Sequence, residues 1–138
     1  MTIDMSRPTI YPVLRYKDSA AALEFLATAF GFLPGEVNTD DRGRVVHATM
    51  TWANGVIMMS DTRDRGDDDP YDTGPTVLYL VVDDPDGHAA RAEAAGAEIV
   101  MGVTDQPYGS REYAARDPEG HVWCFGTYQP APVAAEAP

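Results

Sequence analysis

The sequence predicts an α+β fold made of two βαβββ modules, and three observations support this prediction. A strand, a helix and three strands are predicted for residues 9–60, and the same order recurs in residues 75–128. The two helical segments, 18–31 and 83–96, have the same length. Residues 117–120, Asp-Pro-Glu-Gly, are typical of a type I turn and predict a closing β-hairpin. Since one module leaves a face of its sheet uncovered, a second module is expected to supply the missing wall.

The first module begins with a predicted strand, residues 9–16, and a helix over residues 20–30. Asp18 or Ser19 caps this helix, because either side-chain oxygen can accept hydrogen bonds from the free N–H groups of the first turn. Apolar residues recur along the helix at three- and four-residue spacing, which indicates one buried stripe. Gly31 is suited to end it.

Three further strands complete the first module. A weak strand is predicted near residues 36–38, and stronger strands are predicted at 44–53 and 56–60. Between the last two, Asn54-Gly55 is a strong hairpin signal because both residues accept a positive φ. The two-residue turn is predicted at either Ala53-Asn54 or Asn54-Gly55. Residues 61–74 are polar and acidic, which predicts a loop that links the two modules.

The second module begins at a continuously apolar segment, residues 76–82, which predicts a strand buried on both faces. Asp83 or Asp84 caps a helix that runs from about residue 85 to Gly96. A strand at 98–103 follows, and then the hairpin of residues 113–116 and 121–125. The Pro- and Ala-rich residues 129–138 are predicted to form a disordered tail.

Composition limits the classes of function. The chain has 138 residues and a net charge of -12, so its surface repels phosphate backbones and favours cationic small molecules. No apolar run approaches the roughly 20 residues that span a bilayer, and residues 1–8 lack the pattern of a signal peptide. The single cysteine, Cys124, excludes an internal disulfide. We therefore expect a cytoplasmic protein with no nucleic-acid or membrane partner.

Two segments carry a resemblance to a known family. They are Leu-Arg-Tyr-Lys-Asp followed by Phe-Gly-Phe in the first module, and Arg-Asp-Pro-Glu-Gly-His-Val-Trp before the last strand. With the doubled βαβββ order, residues 9–128 resemble the vicinal oxygen chelate superfamily, the group of glyoxalases, bleomycin-resistance proteins and extradiol dioxygenases. The resemblance implies a cup-shaped mixed sheet with the helices packed outside, a homodimer, and a ligand site in each cup.

Enzymes of that superfamily bind a divalent metal on His, Glu or Gln side chains from the first and fourth strands of each module. The resemblance places the corresponding positions of this chain at Tyr11, Met58, Val77 and Cys124. These four residues are not a usable ligand set for Zn, Ni or Fe(II), and the three histidines are dispersed along the chain. We therefore expect neither a metal nor another cofactor.

Strand alternation then predicts which side chains face the cup. Treating residues 117–120 as a four-residue loop pairs Tyr113 with Cys124, which turns Arg111 and Tyr113 inward. The predicted ligand-binding residues are Tyr11, His47, Met58, Tyr79, Arg111, Tyr113 and Cys124. Aromatic faces and methionine suit a flat, partly apolar ligand, although the same side chains would also simply fill a cup. The thiol of Cys124 is expected to be buried and inert, and Arg111 either holds an anionic ligand group or pairs with a surface carboxylate.

These features favour a metal-independent binding protein similar to the bleomycin-resistance branch. It would sequester an aromatic or peptide-like antibiotic or toxic natural product that is planar, with or without a cationic group. The alternative is a glyoxalase-like lyase or isomerase with an atypical or absent metal. A third possibility is a protein-interaction or regulatory role for the dimer.

Overall fold

A computed structural model describes residues 2–62 and 69–133 of the protein. Its elements follow the order predicted from the sequence. They are β1 (Val13–Tyr16), α1 (Ser19–Phe25), a π-helical turn (Leu26–Phe30), β2 (Leu33–Thr39), β3 (Val45–Trp52), β4 (Gly55–Asp61), β5 (Val77–Val81), α2 (Pro85–Ala94), β6 (Glu98–Asp105), β7 (Arg111–Arg116) and β8 (Val122–Gly126). No helix within the described ranges has the length and hydropathy needed to cross a membrane.

The strands form two mixed four-stranded sheets with the same topology. Their orders are β1-β4-β3-β2 and β5-β8-β7-β6. In each sheet the first and fourth strands of the module pair in parallel, and the other neighbours are antiparallel. The predicted α+β fold of two βαβββ modules is therefore confirmed.

The two helices begin at equivalent aspartates. The carboxylates of Asp18 and Asp84 each accept a hydrogen bond of 3.1 Å from a backbone N–H in the first turn of α1 or α2. The caps lie 66 residues apart, so positions separated by 66 correspond between the modules. Of the residues predicted as caps, Asp18 caps α1 rather than Ser19, and Asp84 caps α2 rather than Asp83.

The helix-side faces of both sheets share one hydrophobic cluster. The π-helical turn carries Phe30 across to the second sheet, where its ring lies 6.0 Å from Trp123 and 4.9 Å from Phe125 between centroids. Gly31, at φ 91°, ends this turn as predicted, because a residue with a side chain would be strained there. One core therefore holds both modules together.

A histidine from the second module fixes the end of the first helix. His88 on α2 donates from Nε2 to the carbonyl oxygen of Phe30 at 2.7 Å. Its Nδ1 accepts a hydrogen bond from the hydroxyl of Tyr113 on β7. Burial lowers the pKa of His88, which favours the neutral ring that this pair of bonds requires.

The carboxylate of Asp117 is a second connection between the modules. Asp117 is 4% exposed and accepts hydrogen bonds from the hydroxyl of Tyr16 on β1 at 2.6 Å and from the indole N–H of Trp123 at 3.0 Å. It also accepts from the backbone N–H groups of Glu119 and His121, which shape its own turn. One side chain thus joins the first strand of the first module to the last hairpin.

That turn corrects the predicted register of the hairpin. Asp117 donates its backbone N–H to His121, and Gly120 lies at φ 95°. The loop therefore has three residues and ends in a left-handed glycine, a common hairpin geometry. Tyr113 pairs with Phe125, and Cys124 pairs with Ala114. The predicted pairing of Tyr113 with Cys124 is wrong by one residue.

Two other expectations also change. The segment predicted as a strand buried on both faces packs on the helices with one face only, since Val77 is 71% exposed and Tyr79 is 40% exposed. The predicted linker, residues 61–74, lies partly outside the described residues, but Asp69 within it is buried at 7% exposure. The predicted tail is described only to Val133, and residues 129–133 lie exposed.

Replacing Asp117 with Ala is expected to lower the free energy of unfolding by about 3–5 kcal/mol, because two buried donors lose their acceptor. The matched variant Tyr16→Phe removes one donor and should cost about 2 kcal/mol. Both losses are measured by denaturant unfolding. If Asp117→Ala cost no more than Tyr16→Phe, the carboxylate would not connect the modules as described.

Candidate functional site

Each sheet has one face that packs on the helices and one open face, and the two open faces form the candidate site. Strand pairing and alternation decide which residues belong to them. The first open face, on the sheet of β1 to β4, contains Val13, Arg15, His47, Thr49, Met58 and Ser60. The second open face, on the sheet of β5 to β8, contains Val77, Tyr79, Glu112, Ala114 and Cys124.

Three tyrosines on and beside the second open face, Tyr79, Tyr108 and Tyr128, form a tyrosine cluster. The Tyr79 hydroxyl donates to the carbonyl oxygen of Tyr128 at 2.7 Å, and the Tyr108 hydroxyl donates to the Glu112 carboxylate at 2.8 Å. The rings of Tyr108 and Tyr128 meet edge to face, with centroids 6.0 Å apart. All three residues are exposed. Two of the hydroxyls are held by the protein, while ring surface faces solvent.

Glu112 lies near the start of β7, on the second open face, and is 5% exposed. Its side chain and that of Tyr79 pack over Gly126, where an added Cβ would lie 2.6 Å from both Glu112 Cγ and the Tyr79 hydroxyl oxygen. Glycine at this position therefore permits the close approach of the two side chains. The hydrogen bond to the Glu112 carboxylate raises the pKa of Tyr108 to about 12.

Cys124 is half-buried and lies between Tyr79 on one neighbouring strand and Ala114 on the other. Burial raises the pKa of the Cys124 thiol, and the negative charge of Glu112 raises it further. The thiol is therefore protonated at neutral pH. A protonated thiol is a poor nucleophile, which agrees with the inert side chain expected from the sequence.

The first open face brings together only part of the predicted set. His47 and Met58 are half-buried there, and Met58 pairs with Val13 and Thr49. Tyr11 precedes β1 and is 38% exposed. Its neighbours Ile10 and Pro12 line an apolar groove of about 340 Å³ that also reaches Tyr79. The groove lies where the edge of the first sheet meets the second.

Arg111 and Tyr113 lie on the helix side of the second sheet, which corrects their predicted orientation. Arg111 binds both carboxylate oxygens of Asp86 on α2 at 2.9 Å and also binds Asp105 at 3.0 Å. Tyr113 is fully buried beneath α2. The one-residue error in the hairpin register caused both misplacements, because it exchanges the two faces of β7.

Sequence reasoning missed Glu112 and Tyr108. A three-residue loop that ends in Gly120 turns Glu112 toward the open face, so the glycine could have indicated the correct register. Tyr108 lies between β6 and β7, and no periodicity marks a residue in such a position. Only the folded chain brings its hydroxyl to Glu112.

The residues do not fit the metal site of the superfamily enzymes. Parallel pairing places Val13 beside Met58 and Tyr79 beside Cys124, at equivalent positions of the two modules. The first-strand positions are therefore Val13 and Tyr79, two residues after the predicted Tyr11 and Val77. Neither pair supplies an imidazole or a carboxylate, and one thiol beside one phenol leaves too few ligands for a Zn, Ni or Fe(II) site. Throughout residues 2–62 and 69–133, no three His, Cys, Asp or Glu side chains lie close enough together to hold a metal ion.

Comparison with known proteins places this geometry in a family. Residues 10–125 match the Glyoxalase/Bleomycin resistance protein/Dioxygenase superfamily. The chain is 32% identical over 126 residues to the uncharacterized protein Mb0911c of Mycobacterium bovis, covering 86% of this chain and 82% of that protein. It is also 32% identical to the uncharacterized protein Rv0887c of Mycobacterium tuberculosis, covering 86% of this chain and 74% of that protein.

Solved structures agree with the match. TioX from Micromonospora sp. ML1 is 30% identical, with a TM-score of 0.70, and the alignment covers 87% of this chain and 99% of TioX. A glyoxalase/bleomycin resistance protein/dioxygenase family enzyme from Burkholderia phytofirmans PsJN has a TM-score of 0.65 and covers 85% of this chain and 95% of its own. At 18% identity, this second similarity concerns the fold alone.

The pKa of Cys124 can be tested by alkylation with iodoacetamide across a range of pH. Because the folded pKa is raised, the rate should stay low at neutral pH and reach half its maximum above the usual thiol range. Glu112→Gln removes a negative charge and should move the profile to lower pH. Tyr108→Phe keeps that charge and should not move the profile downward. An unchanged midpoint in Glu112→Gln would contradict the influence of the carboxylate.

Proposed function

This chain belongs to the glyoxalase/bleomycin resistance protein/dioxygenase superfamily, and we propose that within it the chain is a metal-independent small-molecule binding protein. Its ligand would be a planar aromatic or peptide-like natural product, held stoichiometrically on the open faces and so sequestered. The observation that carries this proposal is the tyrosine cluster, whose rings are positioned by hydrogen bonds and exposed to solvent.

The tyrosine cluster suits recognition of a flat ring system. Each aromatic contact adds about 0.5–1.5 kcal/mol beyond the burial of surface. Because hydrogen bonds already hold Tyr79 and Tyr108, little side-chain freedom remains to be lost on binding. The adjoining apolar groove, about 340 Å³ in volume, lies within the usual range for small-molecule sites.

Charge favours a ligand with a cationic or hydrogen-bond-donating group on this face. The carboxylate of Glu112 lies directly behind the tyrosine cluster, and the chain as a whole carries a net charge of -12. A negative surface raises the local concentration of cations and speeds their association. A ligand cation near Glu112 would replace part of the solvation that the carboxylate loses when the face is covered.

A glyoxalase-like lyase or isomerase is the second candidate function, and Glu112 is the observation that favours it. The buried carboxylate of Glu112 accepts a hydrogen bond from the hydroxyl of Tyr108, and the two groups form a candidate acid–base pair for proton transfer. The two functions differ in what becomes of the ligand. A binding protein returns it chemically unchanged at one equivalent per site, whereas an enzyme converts it in excess over the protein.

The ligand site is tested by titrating the protein calorimetrically with proflavine, a planar aromatic cation. Tyr79→Ala should weaken binding by about five- to thirty-fold, equivalent to about 1–2 kcal/mol, because it removes an exposed ring. Tyr113→Phe is the matched control, since it alters a tyrosine on the opposite face of the sheet. Thermal melts verify folding of both variants. Equal affinities of wild type and Tyr79→Ala would place the ligand elsewhere.

We further propose that the protein is a homodimer, because each open face offers a ligand only one wall. Val13, Val77 and Tyr79 expose apolar surface on these faces, and a second copy would cover it and supply the opposite wall. Sedimentation equilibrium at micromolar concentration should give twice the mass of the chain. Val77→Asp should shift the protein toward the monomer, whereas Val133→Asp, in the exposed C-terminal segment, should not. A monomeric wild type would refute the dimer.

A further inference from the structure

The first open face contains a buried arginine whose hydrogen-bonding capacity is incompletely used. The side chain of Arg15 on β1 is 9% exposed. Nη1 donates to the hydroxyl of Ser60, the partner of Arg15 on β4. The ring of Tyr71 lies 5.4 Å from the guanidinium carbon, within the range of a cation–π contact.

Among the residues that the structure describes, one carboxylate opposes the charge of Arg15, and the geometry of that pair is poor. Asp69 Oδ2 lies 3.4 Å from Nη2, and the side chain of Asp69 is 2% exposed. Among the described residues, neither Arg15 Nε nor Asp69 Oδ2 has a hydrogen-bond partner. A buried ion pair repays the cost of desolvation only when its remaining donors and acceptors are satisfied. This pair is therefore a weak occupant of the site.

A free carboxylate would satisfy Arg15 better than Asp69 does. The guanidinium presents Nε and Nη2 as a fork that matches both oxygens of a carboxylate. Asp69 approaches only one arm of this fork, whereas a ligand carboxylate entering from the open side can meet both. The hydroxyl of Ser60 and the ring of Tyr71 hold the fork in place.

We propose that Arg15 is the receptor for a carboxylate group of the ligand, and that Asp69 occupies this receptor until the ligand displaces it. This inference rests on the proposed binding function and specifies one chemical group of its ligand. A peptide-like molecule can carry a carboxylate for Arg15 beside its aromatic parts.

The test compares two probes of nearly equal shape, 2-naphthoate and the neutral 2-naphthamide, by calorimetric titration. Asp69→Asn removes the competing charge and should bind 2-naphthoate about tenfold more tightly than the wild type. Arg15→Met should weaken the binding of 2-naphthoate by about tenfold or more. Arg15→Lys keeps the charge without the fork, so its affinity for 2-naphthoate should lie between those of the wild type and Arg15→Met. The affinity for 2-naphthamide should stay the same in every variant.

Arg111→Met is the matched control, because it removes an arginine from the helix side of the second sheet. It should leave the affinity for 2-naphthoate unchanged. Thermal melts identify variants that fail to fold, and Asp69→Asn and Arg15→Lys test the proposal if Arg15→Met does not fold. The proposal is overturned if Asp69→Asn binds 2-naphthoate no better than the wild type, or if 2-naphthamide follows the same pattern. If the proposal is overturned while proflavine binding still depends on Tyr79, the proposed binding function stands. If the wild-type protein does not bind proflavine, both the binding function and the carboxylate receptor are refuted.

Discussion

Most of the structure depends on the hydrogen bonds that the buried carboxylate of Asp117 accepts. This carboxylate joins the two modules through Tyr16, and it holds the last hairpin through Trp123 and the backbone of its own turn. The same turn continues to Glu119, whose carboxylate accepts the backbone N–H of Lys17 ahead of α1. Because these bonds fix the register of the hairpin, they also decide that Glu112 rather than its neighbour on β7 faces the open side. The hydrogen bonds of this turn therefore determine both how the two modules pack together and which side chains face the candidate site.

The open faces follow from the way the modules share their core. Phe30 of the first module packs on the second sheet, and His88 of the second module bonds back to the first helix. Both sheets thus turn their helix-bearing faces toward one cluster. Burying those faces leaves Val77 and Tyr79 in solvent, although the sequence of β5 is apolar throughout. No described residue covers these two side chains, and exposed apolar patches are typical of surfaces that contact a ligand or another chain.

Much of the fold could be predicted from the sequence, because its signals are local. The aspartate caps and Gly31 each specify a boundary without reference to the rest of the chain. The Asn54-Gly55 signal marked the hairpin, but the turn itself is Ala53-Asn54, because Trp52 pairs with Gly55 and Ala53 has the positive φ of 50°. Prediction of the candidate site depended on the pairing of strands, where an error of one residue exchanges the two faces of a strand. The family resemblance and strand alternation correctly placed Met58, Tyr79 and Cys124 on the open faces, whereas an ambiguous turn length misplaced Arg111 and Tyr113. The contact of Asp69 with Arg15 joins distant segments and has no local signal in the sequence.

Recognition in this chain would differ in kind from that of the metal-binding members of the superfamily. The strand positions that would hold a metal carry Val13, Met58, Tyr79 and Cys124, which offer shape and apolar contact. The charged groups lie beside them instead. Arg15, paired with Asp69, adjoins the first pair of residues, and Glu112 adjoins the second, so each open face holds buried charged groups beside apolar ones. Buried charges discriminate strongly, because a ligand that leaves one unpaired pays its full desolvation cost. Selectivity would therefore follow from the placement of a ligand's own charges relative to its rings, and metal coordination would not be needed to achieve it.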